Sequence, residues 1–202
     1  TGIDLPAEQY PREGVSYHPE ESMSAVDLAS SSFGQAQKVT PIQMATAVCA
    51  VVNGGYLVQP HIVSKIVDND GNVVEEFEPT AKRQVISEET SAALRQMMEA
   101  VVGGGADGAV GRNAYVAGYH IGGKSGTSEK LDQGPREGTT DEYEKVSSFV
   151  GVVPIDDPEI LVLAFVDEPH AETEFGSMLS APLVGNIISE VAPYLGIETD
   201  PS

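Results

Sequence analysis

The sequence has 202 residues, enough for one domain or a large part of one, and 41% of them are apolar, an ordinary share for a folded protein. Thirty-one acidic residues against 11 basic ones leave a formal charge of −20. That charge repels polyanions and anionic membrane surfaces at long range, which sets nucleic-acid binding aside. The single cysteine, Cys49, excludes an internal disulfide and a thiolate zinc site; it lies in an apolar helical pattern and reads as a packing residue. No apolar run reaches the length of a membrane span. The sequence opens on Thr1-Gly2 without a leader, so it is read as a piece of a longer protein whose anchor is expected upstream.

In chain order, residues 1–32 are rich in Pro, Glu, Gly and Ser and read as an extended arm with one short helix near 24–29. Thr40-Pro41-Ile42-Gln43 marks a helix start, with Thr as N-cap, Pro at the first helical position and Gln three residues after the cap. Asn53-Gly54-Gly55 ends that helix, and its nearly all-round apolarity predicts burial. Segments 62–67 and 73–77 flank Asn69-Asp70-Gly71, a hairpin signal. Ser87-Glu88-Glu89 caps a helix to about 102, with Leu94, Met97, Met98 and Val101 on one face. A glycine-rich stretch (103–111), a glycine-interrupted strand (115–128) and a polar, acidic loop (129–145) follow. Two strong strands, 146–153 and 159–166, precede a last helix over 181–194.

Adjacent strands joined by loops predict an α+β fold, an antiparallel sheet covered by helices. The expected organisation is the arm over 1–32, a mainly helical segment with a hairpin over 33–111, and three strands with the closing helix over 112–202.

Several motifs compete for the chemistry. Residues 118–125, ending in Gly123-Lys124-Ser125, fit the GxxxxGK[ST] phosphate loop by letters. The apolar run 160–166 ending in Asp167-Glu168 resembles a strand that delivers a magnesium-binding acid. A nucleotide hydrolase is therefore one reading. It requires a helix beginning at the lysine, so that backbone N–H groups cradle the phosphates. Gly126 follows at once, and no apolar helical face comes after it. Gly103, Gly105 and Gly108 fit a dinucleotide fingerprint but follow a helix where a strand is required. Asp68, Asp70 and Gly71 hint at a calcium loop, yet Val73 and Pro79 stand where its Gly and Glu belong, so a plain turn is expected. His18, His61, His120 and His170 are scattered and form no ligand pair; no metal site and no cofactor are expected.

Read differently, Lys124-Ser125-Gly126-Thr127 resembles the third active-site motif of penicillin-binding proteins and serine β-lactamases. Its surroundings supply the specificity. Thr1-Gly2-Ile3-Asp4-Leu5-Pro6 resembles the TGIDLPGE segment of class B penicillin-binding proteins. Phe33-Gly34-Gln35, Thr40-Pro41-Ile42-Gln43 and Asn53-Gly54-Gly55 with Pro60 resemble that family's FGQ…TPLQ…NGG…P block. Ser147-Ser148-Phe149-Val150-Gly151-Val152-Val153-Pro154 with Asp157-Pro158 resembles its ASFVGF.P..DP strand pair, and Ala181-Pro182 with Tyr194-Leu195-Gly196-Ile197 its closing helix. These blocks come in the family's order over nearly the whole sequence.

The resemblance implies a serine-type DD-transpeptidase that acts on peptidoglycan stem peptides and is acylated by β-lactams. The parent would be anchored on the extracytoplasmic face of a bacterial membrane, beside cell-wall synthesis or division proteins. It further implies that Lys124 and Thr127 take part in catalysis, that Ser125, Gly126 and Thr127 bind the substrate, and that the Thr127 N–H completes an oxyanion hole. The family's Ser-x-x-Lys nucleophile and Ser-x-Asn motif do not occur in these 202 residues. The segment by itself is therefore expected to be inactive. A non-catalytic wall-synthesis scaffold is the remaining alternative.

Overall fold

In the computed structural model, which describes residues 1–14, 16–35, 37–105 and 107–200, the chain divides into two units. One comprises Thr1–Ala50 and Tyr56–Val85; the other comprises Val51–Gly55 and Ile86–Ser202. Ala36, within the FGQ block, and position 106, within the dinucleotide-like pattern, lie outside the described residues.

In the first unit the N-terminal segment is tied down. The Asp4 carboxylate accepts from the N–H groups of Ile62 and Val63 at 2.8 and 2.9 Å, and Gln59 Nε2 donates to the Gly2 carbonyl at 2.6 Å. Helix α1 (Ala25–Ser31) begins in a reciprocal capping box: Asp27 N donates to Ser24 Oγ and Ser24 N to Asp27 Oδ2. Helix α2 (Pro41–Val52) starts where Thr40-Pro41 places it, and Thr40 and Gln43 cap each other in the same way, at 3.3 and 2.9 Å. The expected burial of α2 is only partial. Thr46, Ala50 and Val52 are inside, whereas Met44 and Ala47 are exposed, because no described element covers that face.

Strands β1 (Tyr56–Gln59) and β4 (Thr80–Gln84) pair antiparallel, and β2 (Lys65–Val67) and β3 (Val73–Glu76) pair in the hairpin between them. The hairpin turn closes on Asp68, whose Oδ1 accepts from Asp70 N and Asn72 N at 2.9 Å, with Gly71 at φ 86°. The acidic side chain thus serves the turn. The β1–β4 pair has no alternating apolar signature, and the sequence reading missed it.

In the second unit, α3 (Glu88–Val102) is capped by Ser87 Oγ, which accepts from Thr90 N, and ends at Gly103 in the left-handed conformation. Ser91, fully buried on α3, donates to the Val51 carbonyl at 2.6 Å and accepts from Gly54 N at 3.0 Å; Arg95 reaches the Val52 carbonyl at 3.0 Å. These bonds satisfy carbonyls that the end of α2 leaves without helical partners.

Strands β5 (Gly122–Glu129), β6 (Lys145–Val153) and β7 (Ile160–Asp167) form an antiparallel sheet in that order, so β5 lies at an edge among the described residues. Helix α4 (Gly176–Leu195) packs on one face, starting five residues earlier than the sequence pattern suggested. Phe149, Val153, Ala181, Val184, Ile188 and Ala192 form the core with Val102, Ala114, Ile121 and Ile197. A side chain at Gly151 would stand 2.5 Å from Val184 Cγ1, so only glycine lets α4 sit this close to β6. Among the described residues no helix is long and apolar enough to cross a membrane.

Candidate active site

The strand expected over 115–128 begins only at Gly122; residues 112–114 form a single 3₁₀ turn, and 115–121 are irregular. Gly122 and Gly123 are packing glycines. A Cβ at Gly122 would meet Ile155 at 2.5 Å, and one at Gly123 would meet Phe149 at the same distance. Because β5 continues as a strand through Lys124, Ser125 and on to Glu129, no helix N-terminus forms at the lysine. The phosphate-loop reading of residues 118–125 is thereby corrected: its backbone cradle is absent from this stretch.

The register divides the motif between two faces. Lys124 lies opposite Val150 and Gly126 opposite Ser148 on one face; Ser125 lies opposite Phe149 and Thr127 opposite Ser147 on the other, the face that α4 covers. Lys124 is exposed, and its Nζ donates to the Ser125 carbonyl at 2.5 Å; Ser125, Gly126 and Thr127 are half-buried.

Thr127 meets the start of α4. Its Oγ1 accepts from Gly176 N at 3.3 Å, the first N–H of that helix. A hydroxyl whose oxygen accepts in this way keeps its proton for a further bond as donor. Gly176 fits there because it lacks a side chain: a Cβ would stand 2.1 Å from the Ser148 carbonyl oxygen and 2.4 Å from that of Gly126. Ser147 Oγ donates to the Glu174 carbonyl, and Ser180 Oγ to the Ser147 carbonyl at 2.9 Å. The sequence reading did not single out Gly176 or Ser180, since nothing local distinguishes them, and it took Ser147 only as part of a family-like block, with no role of its own.

The long acidic loop is an ordered continuation of the β5–β6 hairpin. Lys130 N donates to Glu144 O at 2.7 Å, Arg136 N to Glu142 O at 2.6 Å, and Pro135 bridges Tyr143. Its basic residues are all partnered. Lys130 Nζ lies 2.7 Å from both Asp167 and Glu168, and those carboxylates hold its pKa above the ordinary lysine value, Asp167 contributing most. The supposed magnesium-binding acids are therefore the anchors of a lysine. Arg136 pairs with Glu174 and lies 3.1 Å from Glu144, and Lys145 pairs with Glu174 at 3.1 Å. Glu174 is held below the usual carboxylate range chiefly by Arg136, against a desolvation penalty, with Lys145 adding to the effect. A cleft of about 420 Å³ opens here, lined by Thr127, Arg136, Tyr143, Lys145, Glu174 and Phe175 among others. Cys49, remote in sequence from these residues, is raised in pKa by burial.

The model of the penicillin binding protein transpeptidase domain matches residues 1–189. Stage V sporulation protein D of Bacillus subtilis is 42% identical over 199 residues, covering 98% of this chain and 29% of that protein. A probable peptidoglycan D,D-transpeptidase FtsI of Caulobacter vibrioides is 34% identical over 180 residues, 85% of this chain and 28% of that protein. Among solved structures, penicillin binding protein 3 of Mycobacterium tuberculosis complexed with ampicillin superposes with a TM-score of 0.80 at 28% identity, covering 100% of this chain and 44% of that one. The same protein complexed with aztreonam gives 0.79. The chain spans under a third of the length of these curated relatives.

Proposed function

The chain belongs to the penicillin-binding protein transpeptidase family, and from that premise we propose that it forms the substrate-binding half of a serine-type DD-transpeptidase site in its parent protein. In the proposed reaction a serine from outside these residues attacks the D-Ala–D-Ala carbonyl of a stem peptide and expels D-alanine. The amine of a second stem then attacks the resulting ester, forming the cross-link and freeing the serine. Lys124 supplies a positive field and helps move the serine proton. Ser125 and Thr127 donate to the substrate's terminal carboxylate, and the Thr127 N–H shares in the oxyanion hole. Gly126 lets an extended peptide lie along β5.

One observation carries this reading: the Thr127 hydroxyl, on an edge strand, has its oxygen engaged by Gly176 N–H, so its proton is available to an anion. The positive end of α4 sits at the same place and favours a carboxylate there.

The β-lactams are proposed ligands of the parent, as ampicillin and aztreonam are of the Mycobacterium tuberculosis relative. Stem peptides are its proposed substrates, and its proposed place is the extracytoplasmic face of the cell membrane, among wall-synthesis or division proteins.

Intact-mass analysis with a labelled penicillin tests the proposal. The full-length parent is expected to gain one acyl adduct, at a rate that Lys124→Ala lowers by about a hundredfold or more. The 202-residue chain alone is expected to gain none. A parent that takes no label would instead be a non-catalytic scaffold, and an adduct on the chain alone would overturn the division of the site.

A further inference from the structure

Arg136 sits nine residues after Thr127, yet its side chain returns to the cleft that Thr127 lines. Its backbone is fixed by the hairpin, through Arg136 N to Glu142 O at 2.6 Å and Thr139 Oγ1 to Arg136 O at 2.9 Å. Its side chain is three-quarters buried and its guanidinium grips Glu174, whose side chain is only 14% exposed. The second acid, Glu144, lies 3.1 Å away, but among the described residues its Oε2 has no hydrogen-bond partner, and neither has Arg136 Nε. The directional part of the grip therefore goes to Glu174.

Glu174 stands two residues before Gly176. Its carbonyl accepts from Ser147 Oγ on β6, and its carboxylate is held from the other side by Lys145. The segment that delivers Gly176 N–H to Thr127 Oγ1 is thus clamped at Glu174 by one side-chain bond from β6 and two cations.

We infer that Arg136 is a positioning residue: by holding Glu174 it keeps the start of α4 against β5 and the Thr127 hydroxyl turned outward as a donor. The inference rests on the transpeptidase reading and adds a residue from the acidic hairpin to the machinery of carboxylate recognition. Arg136 itself touches no reacting atom in this role. Its loss acts through Thr127, on ligand binding before acylation.

The groups facing Glu174 are Arg136 and Glu144 from the hairpin and Lys145 from β6, while Glu142, Glu172 and Tyr143 line the same cleft. Arg136 is the largest influence keeping Glu174 ionised. Its removal raises the pH at which the clamp opens, because Lys145 alone then opposes protonation.

The test is single-turnover acylation of the full-length parent by a labelled penicillin, separating the binding constant from the acylation rate constant, as a function of pH. Arg136→Ala is expected to weaken binding about tenfold or more with the acylation constant little changed. Its acid limb should move to higher pH. Glu174→Gln should have a similar effect, and the double variant should be no worse than either single one, since the two act as a unit. Arg136→Lys, which keeps the charge but not the fork, should fall between; it decides the matter if Arg136→Ala does not fold. A labelled wild type with Arg136→Lys and Arg136→Ala both within twofold of it overturns the inference, as do additive effects in the double variant. A wild type that takes no label defeats the transpeptidase reading, and with it this inference.

Discussion

Gly176 shows how much one missing methyl group can decide. Its φ/ψ do not call for glycine, and in the sequence it is an unremarkable residue before an apolar helix. In the fold it lies against two strand carbonyls, so that an added Cβ would meet backbone oxygens at 2.1 and 2.4 Å. Backbone atoms in a paired sheet cannot move aside as a flexible side chain can, and overpacking of this kind costs roughly 3 kcal/mol. Gly176→Ala is expected to lower the midpoint of denaturant unfolding accordingly; an unchanged midpoint would show that α4 has room to withdraw. Lys124 and Thr127 were read as site residues only because family-like blocks surround an otherwise ambiguous tetrapeptide. The partners that orient Thr127 come from 20 and 49 residues downstream, at Ser147 and Gly176, and no local pattern tied either of them to Thr127.

At the scale of elements, the capped helix starts were legible because capping is a local reaction between side chains and the N–H groups three residues on, whereas α4, which has no side-chain cap, was placed five residues late. Thr40 with Gln43, and Ser87 with Thr90, do in the structure what their spacing predicts. Strands were less legible. Strands β6 and β7 are apolar runs and were read nearly to the residue, whereas β1 and β4 are short and mixed and were missed. The hairpin extension over 130–144 read as a loop because its order comes from cross-strand bonds and ion pairs, which leave no periodicity. Long-range hydrogen bonding also joins α3 to the end of α2. Ser91→Ala is expected to destabilise the chain by about 1–3 kcal/mol in urea unfolding, since it removes one bond each from the Gly54 N–H and the Val51 carbonyl. A loss below 0.5 kcal/mol would show that those groups find other partners.

At the scale of the whole molecule, a charge of −20 does not mean that its acids are idle. Asp4, Asp27, Asp68 and Glu174 all have pKa values below their ordinary range, from backbone or side-chain hydrogen bonds to their ionised forms. A carboxylate whose folded pKa is depressed contributes stability that is fully present above its unfolded pKa and is lost as pH falls through the folded one. The melting temperature is therefore expected to be level from pH 7 to about 5 and to fall below about pH 4, where these carboxylates begin to protonate. A melting temperature that rises on acidification would contradict this, and would mean that relief of self-repulsion outweighs the lost hydrogen bonds.

The sequence by itself determined the helix boundaries set by local capping and the strong strands, because each is written in neighbouring residues, and the family, because its blocks follow one another in order along nearly the whole sequence. Tertiary structure alone decided that Lys124 lies on a strand rather than at a helix start, that Asp167 and Glu168 hold Lys130, and that Thr127 receives its orienting bond from Gly176. Those outcomes depend on which distant groups the sheet and α4 bring within hydrogen-bonding distance. Such contacts are set by packing across the fold, and a linear pattern carries no record of them.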